Sequence, residues 1–82
     1  ADDPAAARVA LDALSDAALD EPGWHAARAW LARKAGDARR EEEALRGVLA
    51  RRPTDGEALE RLAGLLHASG RGEEAAALRR RQ

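Results

Sequence analysis

The stretch from Pro53 to Leu78, PTDGEALERLAGLLHASGRGEEAAAL, reads as two short helices joined by a tight turn. Leu59, Leu62 and Leu66 fall on one helical face, with Ala63 beside them. Ser69 and Gly70 end the first helix, and Glu73, Glu74 and Ala75 open the second. The run Thr54-Asp55-Gly56-Glu57 has the spacing of a capping box, with the threonine hydroxyl as acceptor, and predicts a helix that begins after Thr54. Leu62 is then expected between this helix and its two neighbours.

The rest of the chain has the same texture. Of 82 residues, 22 are alanine and 11 leucine, against two valines and two tryptophans, so large apolar side chains number only 15. Alanine is the best helix former, and strand formers are scarce, so the chain is expected to be all-α. Three further helices are predicted outward from the quoted stretch. The first runs from about Pro4 to Leu19, with Asp3 as N-cap and Ala7, Leu11, Leu14 and Ala18 inward. The second runs from about Pro22 to Ala35, with an inward stripe of Trp24, Ala27, Leu31 and Ala35, and Trp30 off that stripe beside Ala26 and Lys34. The third spans about Ala38 to Arg51, capped by Asp37, with Leu45, Val48 and Leu49 buried and Glu42 four residues before Arg46. The fifth is expected to span about Gly72 to Arg81, with Ala75, Ala76 and Leu78 inward.

The pattern repeats. Trp24, Ala27 and Leu31 recur as Leu59, Leu62 and Leu66, displaced by 35, and Gly36 recurs as Gly70, displaced by 34. Glu42-Glu43-Ala44 is echoed by Glu73-Glu74-Ala75. The repeat is degenerate, with a period of 34 to 35 residues built as helix–turn–helix.

On Leu49, Pro53, Glu57-Ala58-Leu59, Leu62-Ala63, Leu66, Gly70 and Glu73-Glu74-Ala75, the chain resembles the tetratricopeptide repeat (TPR) family. The resemblance is good over residues 45–78 and moderate over 22–44. It implies antiparallel helical hairpins in a short superhelix: a partial unit over 1–21 and repeats over 22–53 and 54–82. Glu41 stands where the family prefers a small buried alanine, and Arg79 where it prefers a large apolar residue. The resemblance also implies a concave, non-catalytic binding surface on the first helix of each unit. Beside the predicted stripes that face carries His25, Ala29, Ala32 and Arg33, then Glu60, Gly64 and His67, with Trp30 at one margin. A protein or peptide partner is expected there. The alternative is a structural oligomerisation bundle with no separate ligand. The family's lysine–asparagine clamp for a terminal carboxylate is not expected, because the chain has no asparagine.

Other chemistries find little support. Fourteen basic against 15 acidic residues give a net charge of −1, which argues against nucleic-acid capture and gives no polybasic membrane signal. Glu57 and Glu60 at the start of the fourth helix would repel phosphate in a helix-turn-helix. No stretch approaches the roughly 20 apolar residues of a membrane span. Without cysteine there are no disulfides, zinc–thiolate sites or thiol catalysis. His25 and His67 lack helical ligand spacing and read as ordinary side chains, Ser15, Thr54 and Ser69 carry no nucleophile signature, and Glu41 to Glu43 read as a solvated helix face rather than a cation site. No enzyme activity, cofactor or metal is expected. Arginine and alanine richness suits a GC-rich, bacterial coding sequence. Among compartments the cytoplasm is favoured, with a processed or exported fragment left open because the chain starts at Ala1 without methionine.

Overall fold

Three of the helices begin at an aspartate whose side chain satisfies their first free N–H groups. Asp3 accepts from the amides of Ala5 and Ala6, Asp37 from Arg40, and Asp55 from Ala58, the last at 3.1 Å. The computed structural model describes residues 3–17 and 21–80. These hold five α-helices and no strand: α1 (Pro4–Asp16), α2 (Pro22–Ala35), α3 (Ala38–Arg51), α4 (Gly56–Ala68) and α5 (Gly72–Arg79). The fold is all-α, and the expected bounds of the second and third helices agree with α2 and α3. Ala18, Leu19 and Arg81 lie outside the described residues.

One cap differs from expectation. The residue that caps α4 is Asp55, and Thr54 sits exposed in the preceding turn. A carboxylate one residue closer to the helix is the stronger acceptor and takes the bond that the threonine hydroxyl would have made.

Helix starts fix the repeat at 34 residues. Pro4, Ala38 and Gly72 begin α1, α3 and α5, each 34 after the last, and Pro22 and Gly56 begin α2 and α4 at the same interval. Gly36 and Gly70 both take a left-handed backbone, with φ of 71° and 81°. The amides after them, Asp37 and Arg71, reach back to Ala32 and Leu66 carbonyls at 2.9 and 2.8 Å, so both turns close alike. Burial follows the same interval. His25, Ala29 and Ala32 on α2 match Leu59, Ala63 and Leu66 on α4, and Glu41 and Ala44 match Ala75 and Leu78.

That register corrects the inward face of α2. Trp24 and Leu31 are only half-buried, Ala27 is exposed, and His25, Ala29, Ala32 and Ala35 are buried instead. The cause is on α3. Gly47 has no side chain, and the His25 imidazole fills the space where one would stand: a Cβ there would lie 2.7 Å from its Cγ. Trp24 turns toward α1 and donates its indole N–H to the Leu14 carbonyl at 2.8 Å. The other expected core positions hold, except that Ala7 and Leu14 on α1 are only half-buried. Leu59, Leu62 and Leu66 are fully buried, with Leu11, Leu45, Val48, Leu49, Ala75 and Leu78 also inside, whereas Ala76 is exposed.

Close backbone contact among the described residues runs only between helices adjacent in sequence, so the array is quasi-linear. Ion pairs link alternate helices. Arg8 approaches Asp37 at 3.9 Å, and Asp12 pairs with Arg40. Thirty-four residues on, Glu42 pairs with Arg71, and Arg46 with Glu74 at 3.3 Å. The positions repeat and the signs are reversed. An α1-to-α5 mispairing would bring Arg8 to Arg71 and Asp12 to Glu74, like against like.

Two predictions follow from this geometry. Asp55→Ala is expected to destabilise the chain by about 1 kcal/mol, and Thr54→Ala by no more than a few tenths, read from urea denaturation midpoints. Of the glycines inside helices, Gly64 has open space at its Cβ position and Gly47 does not. Gly64→Ala should gain up to about 1 kcal/mol. Gly47→Ala should lose about 1–3 kcal/mol from overpacking, with much of the loss recovered in the double variant Gly47→Ala, His25→Ala.

Candidate functional site

A groove of about 640 Å³ opens between α2 and α4, with α3 as its base. Its apolar surface comes from Ala26, Ala29, Leu45, Val48 and Ala58, of which all but Ala26 are buried. Alanine at positions 26, 29 and 58 is what leaves the space, since a longer side chain at any of them would fill it. The α2 rim is Trp30 and Arg33, and the α4 rim is Asp55, Glu57 and Glu60.

Trp30 is 59% exposed, one of two large hydrophobic residues so placed among the described residues. The Lys34 ammonium lies 5.4 Å from the centre of its ring, one turn away on the same helix. A cation on a tryptophan face restrains the ring and leaves its other surface for contact.

The wall between α3 and α4 is built on a buried carboxylate. Glu41 is 3% exposed, and the Arg61 guanidinium grips it with two N–H groups, one of them 2.9 Å from Oε1. The pairing raises the Arg61 pKa, first through that hydrogen bond. Glu42 is half-buried and accepts from Arg71 and Arg46, and these bonds, Arg71's foremost, hold its carboxyl below the usual range. The expectation that Glu41 to Glu43 form a solvated face therefore holds only for Glu43, which is exposed. Their neighbours are arginines, so the acidic run serves helix-to-helix anchoring. Among the described residues no group of three or more histidine, aspartate or glutamate side chains is placed to hold a metal, and no helix is long and apolar enough to cross a membrane.

The residues named from sequence divide cleanly. Ala29, Trp30, Arg33 and Glu60 meet at the groove. His25 and Ala32 do not, because both are buried in the helix packing, His25 against Gly47. Gly64 and His67 are exposed on α4 but lie outside the groove lining. Sequence reasoning missed Ala26, Asp55, Glu57, Ala58 and the Glu41–Arg61 pair. A strict 34-residue register was the signal that would have found part of this, because it places Leu59 opposite His25 in the repeat and turns Ala29 toward the base of the groove.

His25 has its own chemistry. Its ring packs edge-on to Trp24 with centroids 4.9 Å apart, and its Nδ1 is 3.1 Å from an Arg28 nitrogen. Burial lowers its pKa below 6.5, and the nearby Arg28 charge adds to the effect. The neutral ring is the form that fits. Stability from this residue is full above pH 6.5 and is lost as pH falls through the depressed value, because the unfolded chain takes up the proton first. A urea midpoint that declines below pH 6.5 in the parent protein, and declines less in His25→Gln, is the expected result. A second acid-side loss below pH 4.5, from Glu42, should persist in that variant.

No family profile, curated protein or solved structure matches the chain.

Proposed function

We propose that the chain is a helical-hairpin repeat module of the tetratricopeptide kind, and that it binds a peptide segment of a partner protein in the groove between α2 and α4. The reading is non-catalytic. The observation that carries it is the pairing of an apolar, alanine-lined base with a solvent-exposed tryptophan on the rim. Tryptophan and arginine are the residues that most often anchor protein interfaces, and Trp30 and Arg33 stand together on α2. The 34-residue interval of helices, caps and buried positions supports the family reading.

A second reading, self-association without another ligand, rests on α1. Its outer side exposes Ala6, Val9, Ala10 and Ala13, with Val9 70% exposed. Their equivalents 34 residues later include Ala44, which is fully buried, and Gly47, which receives His25.

The double variant Trp30→Ala, Arg33→Ala is the test. Both side chains are exposed, so the melting midpoint should hold within a few degrees. Affinity for a captured partner peptide, measured by calorimetry, should fall by about 2 kcal/mol or more. Unchanged affinity would remove the groove from consideration. A mass that rises with concentration in sedimentation, and returns to monomer in Val9→Glu, would favour self-association.

A further inference from the structure

The groove is electrostatically lopsided, and this deepens the peptide-binding reading on which it rests. Three carboxylates, Asp55, Glu57 and Glu60, stand on the α4 side of its lining, against one guanidinium, Arg33, on the α2 side. The other charged pair in the lining, Glu41 and Arg61, is closed on itself by two hydrogen bonds and adds little net field. One oxygen of Asp55 caps α4 by accepting from the Ala58 amide. Glu60 lies 3.8 Å from Arg79, and its side chain is 56% exposed. Between the rims lies an apolar base of low polarisability, which focuses the field of the carboxylates into the groove instead of dispersing it in water.

We infer that the partner segment is a basic, apolar peptide: small or branched aliphatic side chains against Ala29, Val48 and Ala58, and lysine or arginine side chains toward Asp55, Glu57 and Glu60. The geometry separates the two contributions. Apolar contact with Trp30 and the alanine base supplies affinity that does not depend on salt. Charge on the α4 rim supplies the choice of partner, because an acidic segment of the same shape would face three carboxylates across the groove. Arg33, at the opposite rim, leaves room for one acidic or C-terminal group at that side and sets the direction in which the segment lies. Other acidic residues are disposed differently. Glu42 and Glu74 are committed to arginines between α3 and α5, and Glu43 lies outside the groove lining.

The experiment uses two synthetic peptides with one alanine–leucine framework, the first carrying lysines and the second glutamates at the same positions. Each is titrated into the full chain by calorimetry, at low and at high salt. The lysine peptide is expected to bind roughly tenfold more tightly at low salt, with the margin shrinking as salt rises. Glu57→Gln with Glu60→Gln, which keeps side-chain length, should erase most of that margin, while Glu43→Lys leaves it intact. Trp30→Ala should weaken both peptides alike. Equal binding of the two peptides, still sensitive to Trp30→Ala, would overturn the charge inference and leave the groove reading standing. Preference for the glutamate peptide would overturn it too. Binding of neither peptide, or lysine-peptide binding indifferent to Trp30→Ala, would bring down the groove reading and this inference with it. Circular dichroism of each variant confirms that its helices are in place.

Discussion

The absence of a side chain at Gly47 governs the packing of α2. Because α3 presents bare backbone there, the His25 imidazole packs into the space, and α2 settles with His25, Ala29 and Ala32 inward. That rotation has consequences along the helix. Ala29 joins the base of the groove, Trp30 and Arg33 rise to its rim, and Trp24 swings to the other side to bond the Leu14 carbonyl of α1. A helix interior normally avoids glycine, which costs about 1 kcal/mol relative to alanine. Here the close fit of ring against backbone offsets that cost. The neutral imidazole is part of the same arrangement, since burial beside Arg28 disfavours its charged form.

With so few large side chains, order in the array depends on position more than on bulk. Among the described residues Leu11, Leu59, Leu62 and Leu66 are the fully buried large ones, and alanines fill much of the remaining contact. Small side chains bring helices close but specify register weakly, because many offsets bury similar area. Polar contacts supply the missing specification. Glu41 and Arg61 tie α3 to α4, and the two sets of ion pairs tie α1 to α3 and α3 to α5. Exposed pairs of this kind contribute little stability singly. Their reversed signs at the 34-residue interval make the wrong pairing repulsive, so they act on which helix meets which.

The groove arises from the same alternation. In this array α2 and α4 lie on one side and α3 runs between them as the base, so residues from three helices converge without any loop contributing a binding element beyond Asp55. The convergence places apolar surface low and charge high. Such an arrangement fits the proposed recognition of a linear segment, with aliphatic groups against the base and charged groups at the rims. The acidic run at 41–43 is absorbed into the scaffold, leaving Glu57 and Glu60 with Asp55 as the charged face of the groove.

Composition and punctuation by themselves determined that the chain is helical and where four of the five helices among the described residues begin. Alanine and leucine abundance disfavours a sheet, and Asp3 and Asp37, through carboxylates that accept from amides two or three residues on, and Gly36 and Gly70, through a left-handed backbone, act locally, so they are legible without distant neighbours. The leucine stripe of α4 was legible for a similar reason, since three leucines at helical spacing have one sensible place to go. What the tertiary structure decided was the facing of α2 and the surroundings of the charges. Periodicity weights residues by size and hydrophobicity, so it chose Trp24 and Leu31 over His25. Only the partner helix reveals that a glycine there accepts an imidazole. Likewise, a glutamate run reads as solvated until arginines 20 and 29 residues away are brought against it. Of the four groove residues that were anticipated, Glu60 came from a correctly assigned face of α4, whereas Ala29, Trp30 and Arg33 came from a face of α2 assigned one residue out of register; the protein surface they share exists only once α3 has fixed how α2 and α4 are turned.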